Sequence, residues 1–108
     1  MLPAFRAIAF LFISRPLIVS DIKIQDRILK FFNNKIDIIV SDMAENTTGN
    51  KTVDSIRTNS LCTDVINFSL KGITDRGTLV CKLFMGEDFL QVKNLAKKNF
   101  KKVDFFKP

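Results

Sequence analysis

From residue 22 to the end of the chain, segments with helical periodicity alternate with short apolar runs. An apolar residue every three or four positions is typical of a helix packed on one side, whereas a short β-branched run is typical of a buried strand. The pattern predicts helices over residues 22–32, 53–71 and from 86–88 onward, and strands over residues 36–40, 78–84 and 102–106. Alternating elements of this kind pack as helices against a mostly parallel sheet, so we expect an α/β fold.

Residues with capping preferences indicate where these elements begin and end. Asp21 is predicted as the N-cap of the first helix, and Asn33-Asn34 as its end. Gly72 is predicted as the C-cap of the second helix, and a turn over residues 74–77 then leads into the second strand. The third helix combines an acidic first turn with lysines near its end, the arrangement that the helix dipole favours.

Residues 1–20 differ in composition from the rest of the chain and contain no acidic residue. Their apolar run, residues 7–14, is shorter than the roughly 20 residues that a membrane span needs, and Arg15-Pro16 ends it. No small-residue cleavage site of a signal peptide follows this run. We therefore expect a separate N-terminal segment over residues 1–20, one domain over residues 21–108, a cytoplasmic location and no contact with membranes.

The chain has no His and two Cys, Cys62 and Cys81. Without His it has no Ser-His-Asp triad, no Cys-His dyad and no zinc site of the usual kind. The spacing of the two cysteines fits no metal-binding motif, so we expect no bound metal. Both cysteines lie in apolar surroundings, which favours buried free thiols in a reducing compartment.

Most of the formal net charge of +6 lies near the C-terminal end, where residues 93–108 contain six Lys and one Asp. A basic segment of this kind suits a polyanion such as RNA. The alternative is a solvated helix end, where lysines interact favourably with the helix dipole. The candidate RNA-binding residues are Lys97, Lys98, Lys101, Lys102 and Lys107.

Two charged residues lie where ligands bind in an open α/β sheet, at the carboxyl ends of the strands. Asp42 follows the first predicted strand, and Lys82 lies in the second half of the next one. Burying an ammonium group among apolar residues is costly unless a carboxylate pairs with it. The two residues therefore predict either an acid–base site or a structural ion pair at the rim of the sheet.

Two ordered blocks, Ser41-Asp42-Met43-Ala44 and residues 75–87, lie on either side of the second predicted helix. They resemble motifs of the FtsJ/RrmJ (RlmE) family of ribosomal RNA 2′-O-methyltransferases. Ser41-Asp42-Met43-Ala44 matches the family's Ser-Asp-Met-Ala-Pro motif, and residues 75–87 are similar to its Gly-Gly-x-Phe-Val-x-Lys-x-Phe-x-Gly block. Residues 100–108 look like the segment that precedes the family's substrate loop. Two motifs in order at an appropriate separation are more specific than one short pattern. The resemblance covers about residues 22–108.

The resemblance implies methylation of a ribose 2′-hydroxyl, that of a uridine in large-subunit ribosomal RNA, with S-adenosylmethionine as the methyl donor. In this family a Lys-Asp-Lys-Glu set surrounds the reacting hydroxyl. Asp42 matches the family's Asp, which also lies against the methyl donor, and Lys82 matches the Lys that is regarded as the proton acceptor. A ribose hydroxyl is a poor nucleophile, so it needs a positioned base and an in-line approach to the methyl carbon. The implied partner is ribosomal RNA or the large ribosomal subunit.

The sequence also departs from the family pattern. Glu45 stands where the family commonly has Pro, and the glycine-rich cofactor loop, the first catalytic Lys and the final Glu have no counterpart. We therefore expect a partial Rossmann-like fold, the last part of a mostly parallel sheet with flanking helices, lacking the N-terminal cofactor-binding half. The expected function is that of a truncated methyltransferase, active or inactive; the alternatives are a non-catalytic RNA-binding module and an unstable gene remnant. We expect no binding of S-adenosylmethionine by this chain alone, because such binding depends on a glycine turn and a helix N-terminus.

Overall fold

A computed structural model of the chain describes residues 9–13, 20–42, 49–83, 86 and 88–106. Strands and helices alternate along this part of the chain, which confirms the predicted α/β fold. The elements are β1 (Phe10–Ile13), α1 (Ile22–Phe31), β2 (Ile36–Ser41), α2 (Lys51–Gly72), β3 (Ile73–Cys81) and α3 (Phe89–Asn99). None of the helices in the described ranges is long and apolar enough to cross a membrane.

The three strands form one sheet in the order β1-β2-β3, and both neighbouring pairs are parallel. The predicted parallel sheet is therefore confirmed, with β1 as an additional strand. β1 lies within residues 1–20, for which the sequence predicted no element, because four apolar residues carry too little periodicity to identify a strand. Residues on both sides of the predicted boundary at residue 20 contribute to one hydrophobic core.

The helix α1 begins and ends where the sequence predicted. The side-chain Oδ1 of Asp21 accepts a hydrogen bond from the backbone N–H of Lys23 at 2.9 Å, as an N-cap residue does. Asn33 and Asn34 follow the helix with φ angles of 54° and 56°. Asparagine tolerates this left-handed region better than most residues with a side chain, so the pair ends the helix and redirects the backbone towards β2.

Gly72 has a different role from the predicted C-cap. It is the last residue of α2, β3 follows directly, and its φ lies outside the left-handed region that a glycine C-cap adopts. A Cβ atom at this position would run into Cδ2 of Leu29 in α1. The missing side chain therefore allows α1 to pack closely against the end of α2.

The strand β3 includes residues that the sequence assigned to a turn. Ile36 pairs with Ile73, and Ile38 pairs with Thr78, so two steps along β2 oppose five along β3. The additional residues of β3 form an irregularity in the ladder, as a β-bulge does. The predicted turn over residues 74–77 is therefore wrong, because these residues remain in the sheet as part of the bulge.

Gly77 lies in this bulge and is close to the backbone on two sides. A Cβ atom there would lie 3.0 Å from the carbonyl oxygen of Thr74 and 3.1 Å from that of Asp37, and it would collide with the side chain of Ile73. Because the backbone cannot yield without disturbing the ladder, we expect Gly77→Ala to lower the free energy of unfolding by about 1–3 kcal/mol. Urea denaturation measures this difference, and an unchanged midpoint would contradict the tight packing of the bulge.

Residues 102–106 do not form the predicted strand. A strand needs a neighbour to share its backbone hydrogen bonds, and no strand in the described part of the chain pairs with this segment. Phe105 packs instead against Phe89 of α3, with 5.2 Å between ring centroids, and Nζ of Lys93 lies 5.9 Å from the centroid of the Phe105 ring. Aromatic and cation–π contacts of this kind hold the segment against α3.

Two adjoining clusters form the hydrophobic core on one face of the sheet. In the first, Ile13 of β1 and Ile39 of β2 are buried together with Leu29 of α1 and Phe68 of α2. In the second, Val92 of α3 is buried against residues of α2 and β3. Burying one large apolar side chain contributes about 1.5–3 kcal/mol. The two clusters together contain residues of α1, α2 and α3, so all three helices cover the same face of the sheet.

In the described part of the chain, no helix covers the opposite face of the sheet, which is apolar. Successive strand residues point to opposite faces, so Phe10, Phe12 and Val80 point away from the helices. Each of them is about half exposed, with 52%, 51% and 53% of its surface accessible. The described chain thus forms two layers, whereas a parallel sheet in a complete α/β domain is covered on both faces.

Candidate active site at the carboxyl edge of the sheet

Asp42 and Lys82 lie at the same edge of the sheet. The last paired residues of β2 and β3 are Ser41 and Cys81, and Asp42 and Lys82 come directly after them. Neighbouring strands are about 5 Å apart, so the two backbones leave the sheet at roughly this separation. The backbone N–H of Asp42 also donates to the carbonyl oxygen of Ile13 at 3.2 Å, which ties it to the end of β1. The structure thus brings both predicted site residues to adjoining strand ends.

The surroundings of Lys82 differ from the prediction. The sequence placed Lys82 inside a strand among apolar residues, but β3 ends at Cys81 and the side chain of Lys82 is exposed. The strand ends here because its neighbour β2 ends at the paired Ser41, so the ladder has no further partner. Asp42 is exposed as well. Both charged groups are therefore accessible at the edge where ligands of α/β sheets bind.

A partly buried hydrogen bond links α2 to Asp88, the residue before α3. Asn59 of α2 is fully buried, and its Nδ2 donates to Oδ1 of Asp88 at 2.7 Å. Asp88 immediately precedes α3 and makes no side-chain capping bond to that helix. Lys82 thus follows directly on β3, and Asp88 is held by α2. Asn59 was not among the predicted site residues, although its helical spacing to Cys62 and Ile66 indicates a shared inner face.

Two thiols meet on the helix-covered side of this edge. Sγ of Cys62 in α2 lies 2.8 Å from Sγ of Cys81, and both cysteines are free, as the sequence predicted. The hydrogen bond between the thiols lowers the pKa of Cys81 against the opposing effect of burial, whereas the hydrogen bond and burial together raise the pKa of Cys62. The contact between the two thiols was not predicted, because it depends on how α2 packs against β3.

The candidate RNA-binding lysines lie at the other end of α3. Lys97 and Lys98 are exposed in its last turn, and Lys101 and Lys102 are exposed beyond it. The helix begins near the carboxyl edge and has 11 residues, so its last turn lies about 15 Å from its start. The structure therefore does not bring these lysines together with the two strand-end residues. Lys107 lies outside the described residues.

Parallel strands joined by helices, with charged residues after two adjoining strands, define the chain as part of a Rossmann-like α/β domain. Residues 17–108 match the FtsJ-like methyltransferase family. The chain belongs to this family, and the prediction made from the two sequence motifs is confirmed.

Three relatives carry the same name. Ribosomal RNA large subunit methyltransferase E of Pelagibacter ubique (strain HTCC1062) is 43% identical over 89 residues, which make up 82% of this chain and 44% of that protein. The protein of Rickettsia akari (strain Hartford) is 40% identical over 84 residues, or 78% of this chain and 37% of the relative. The protein of Wolbachia pipientis wMel is 43% identical over 79 residues, or 73% of this chain and 41% of the relative. The chain spans less than half the length of these curated relatives.

Proposed function

We propose that this chain takes part in methylating a ribose 2′-hydroxyl, that of a uridine in large-subunit ribosomal RNA, with S-adenosylmethionine as the methyl donor. Membership of the methyltransferase family supports the reaction, and the names of the relatives support the RNA substrate. The observation that carries the proposal is the position of Asp42 and Lys82 at adjoining strand ends, where both are accessible to a ligand.

Lys82 is the proposed proton acceptor. A ribose hydroxyl attacks effectively only when a base removes its proton in the transition state, and Nζ of Lys82 would take that proton. A lysine accepts a proton only in its neutral form, which burial and nearby positive charge favour. Because Lys82 is exposed in the described chain, the proposal requires bound RNA to cover the carboxyl edge and remove water from Nζ.

Asp42 is proposed to hold both Lys82 and the methyl donor in place. Its carboxylate lies one strand away from Lys82 and would accept a hydrogen bond from Nζ, which the neutral amine can still donate. An exposed carboxylate also suits the cationic groups of S-adenosylmethionine, so Asp42 fits as one contact to the donor. When bound, the donor supplies the electrophilic methyl carbon for the ribose oxygen. The short distance between the two strand ends would then help to align the ribose oxygen with the methyl carbon for an in-line approach.

A chimera tests this proposal. In the Pelagibacter ubique relative, the 89 residues that match this chain would be replaced by the corresponding residues of this chain. The purified chimera would be incubated with S-adenosylmethionine carrying a tritiated methyl group and with large ribosomal subunits that lack the modification. We expect tritium in the RNA. A chimera that folds and binds the donor but transfers no methyl group would contradict the proposal.

The exposed lysines at the end of α3 favour a second candidate function, the binding of RNA without catalysis. Replacing Lys97, Lys98, Lys101 and Lys102 with Gln is expected to weaken binding to ribosomal RNA at least about tenfold at low salt, because each phosphate contact releases counterions. Lys102 forms an ion pair with Asp104 at 3.7 Å. This pair is exposed and therefore too weak to prevent Lys102 from binding a phosphate.

Filter binding at two salt concentrations measures this effect. The variant should lose affinity and also show a shallower dependence on salt. The matched control removes the same amount of charge from another surface, around α1, by replacing Lys23, Arg27, Lys30 and Lys35. Equal losses in both variants, or wild-type binding that does not respond to salt, would contradict an RNA-binding surface at the end of α3.

A further inference from the structure

Cys62 and Cys81 are placed for a covalent bond between them. Their Sγ atoms are 2.8 Å apart, and a disulfide has its sulfur atoms about 2.05 Å apart. Bond formation therefore requires a shift of less than about 1 Å along this line. The chain contains two cysteines in all, so neither thiol has another intramolecular partner.

The two thiols differ in a way that assigns them separate roles. Cys62 is buried, with 3% of its surface exposed, whereas Cys81 at the end of β3 is partly exposed. Either thiol can donate the hydrogen bond between them, and when the S–H group of Cys62 donates, the bond lowers the pKa of Cys81 and favours its thiolate form. A thiolate is the attacking species in thiol–disulfide exchange. Cys81 is thus the accessible nucleophile and Cys62 the adjacent resolving thiol.

We propose that Cys62 and Cys81 are a site of reversible oxidation, at which thiol–disulfide exchange with a small-molecule disulfide joins α2 to the end of β3. The proposal does not depend on methyl transfer. It rests on the contact between the two sulfur atoms, on the partial exposure of Cys81 and on the burial of its partner.

The exchange has two balanced steps. The thiolate of Cys81 attacks one sulfur of the small disulfide, forms a mixed disulfide and releases one small thiolate. That thiolate takes up the proton that Cys62 gives up. The sulfur of Cys62 then attacks Sγ of Cys81 and displaces the second small thiolate, which takes a proton from water. Overall, two protein thiols are oxidised to one disulfide, and the small disulfide is reduced to two thiols.

The bond would change the mechanics of the candidate site. It would close a loop between residues that are 19 positions apart, which includes the second half of α2 and the whole of β3. Closing a loop of this length restricts the unfolded chain, and we expect the melting temperature to rise by about 10 °C. The cross-link would also fix the residue that directly precedes Lys82.

Oxidised glutathione is the probe for the test. The full chain would be incubated with it, alkylated to block free thiols, and analysed by intact mass and by peptide mapping without reduction. We expect a monomer that has lost two hydrogen atoms and a linked peptide pair containing Cys62 and Cys81. In Cys62→Ser, Cys81 should keep a bound glutathione. In Cys81→Ser, the remaining Cys62 should react at least about tenfold more slowly, because it is buried.

A control in urea shows how fast the same thiols react when they are fully exposed. Glutathione held stably on either cysteine of the folded wild-type chain would overturn the proposal. So would disulfide-linked dimers as the main product, or no reaction in the folded chain over a period in which the unfolded chain reacts completely. Peptide mapping of the wild-type chain tests the proposed oxidation site even if a serine variant fails to fold.

Discussion

Replacing Lys82 with alanine in the chimera is expected to lower the kcat of methyl transfer by about 10²- to 10⁴-fold, the usual contribution of a positioned general base. Lys82→Arg should be similarly inactive, since a guanidinium group does not give up its proton near neutral pH. The KM for RNA should change little, because one exposed side chain at the edge contributes a small part of a phosphate-dominated affinity. Steady-state kinetics with the tritiated methyl donor measure both constants.

The control for this prediction is Lys30→Ala. Lys30 is also an exposed lysine, but it lies in the last turn of α1, away from the carboxyl strand ends. Its replacement should leave kcat within about twofold of the unsubstituted chimera, as expected of a surface change away from the chemistry. A Lys82→Ala chimera with full kcat would show that Lys82 is not the proton acceptor, and the structural alternative for the strand-end pair would then stand.

Replacing Phe68 with alanine is expected to lower the free energy of unfolding by about 3–5 kcal/mol. The side chain of Phe68 has 1% of its surface exposed and belongs to the cluster that joins α1, α2 and the sheet. A small domain has about 5–15 kcal/mol of stability in total, and a sheet with one open face belongs at the lower end of this range. The variant should therefore be partly unfolded even without denaturant.

Phe106 provides the matched control, because 88% of its surface is exposed. Phe106→Ala should stay within about 0.5 kcal/mol of the parent chain. Urea denaturation followed by circular dichroism measures both differences. If the two substitutions have equal effects, or if the parent chain shows no cooperative transition, the packed core described above is not formed in solution, and the alternative of an unstable fragment gains support.

Local signals predicted the elements that are long or well capped. The helix α1 was predicted together with its N-cap Asp21 and its terminating asparagines, because capping is a property of neighbouring residues. The strand after it was predicted from an uninterrupted β-branched run, which is typical of a strand buried in a parallel sheet. The order of these elements was sufficient to predict a parallel sheet, and hence to place Asp42 and Lys82 at one edge.

Features that depend on tertiary packing were missed or wrongly predicted. Residues 102–106 have the composition of a strand, but a strand exists only beside a partner, and Phe105 packs on α3 instead. The role of Gly72 was misjudged because close approach of another helix cannot be read from capping preferences. The contacts of Asn59 with Asp88 and of Cys62 with Cys81 join distant parts of the chain, so their partners could not be inferred from spacing alone.

The position of the transferred methyl group tests the central claim most directly. After reaction of the chimera with large ribosomal subunits, the RNA would be digested to nucleosides and analysed by mass spectrometry. We predict 2′-O-methyluridine as the labelled product, because the base at the carboxyl edge is proposed to activate a ribose hydroxyl. A methyl group on a nucleobase, or an unlabelled RNA from a chimera that folds and binds S-adenosylmethionine, would contradict the proposed role of Asp42 and Lys82.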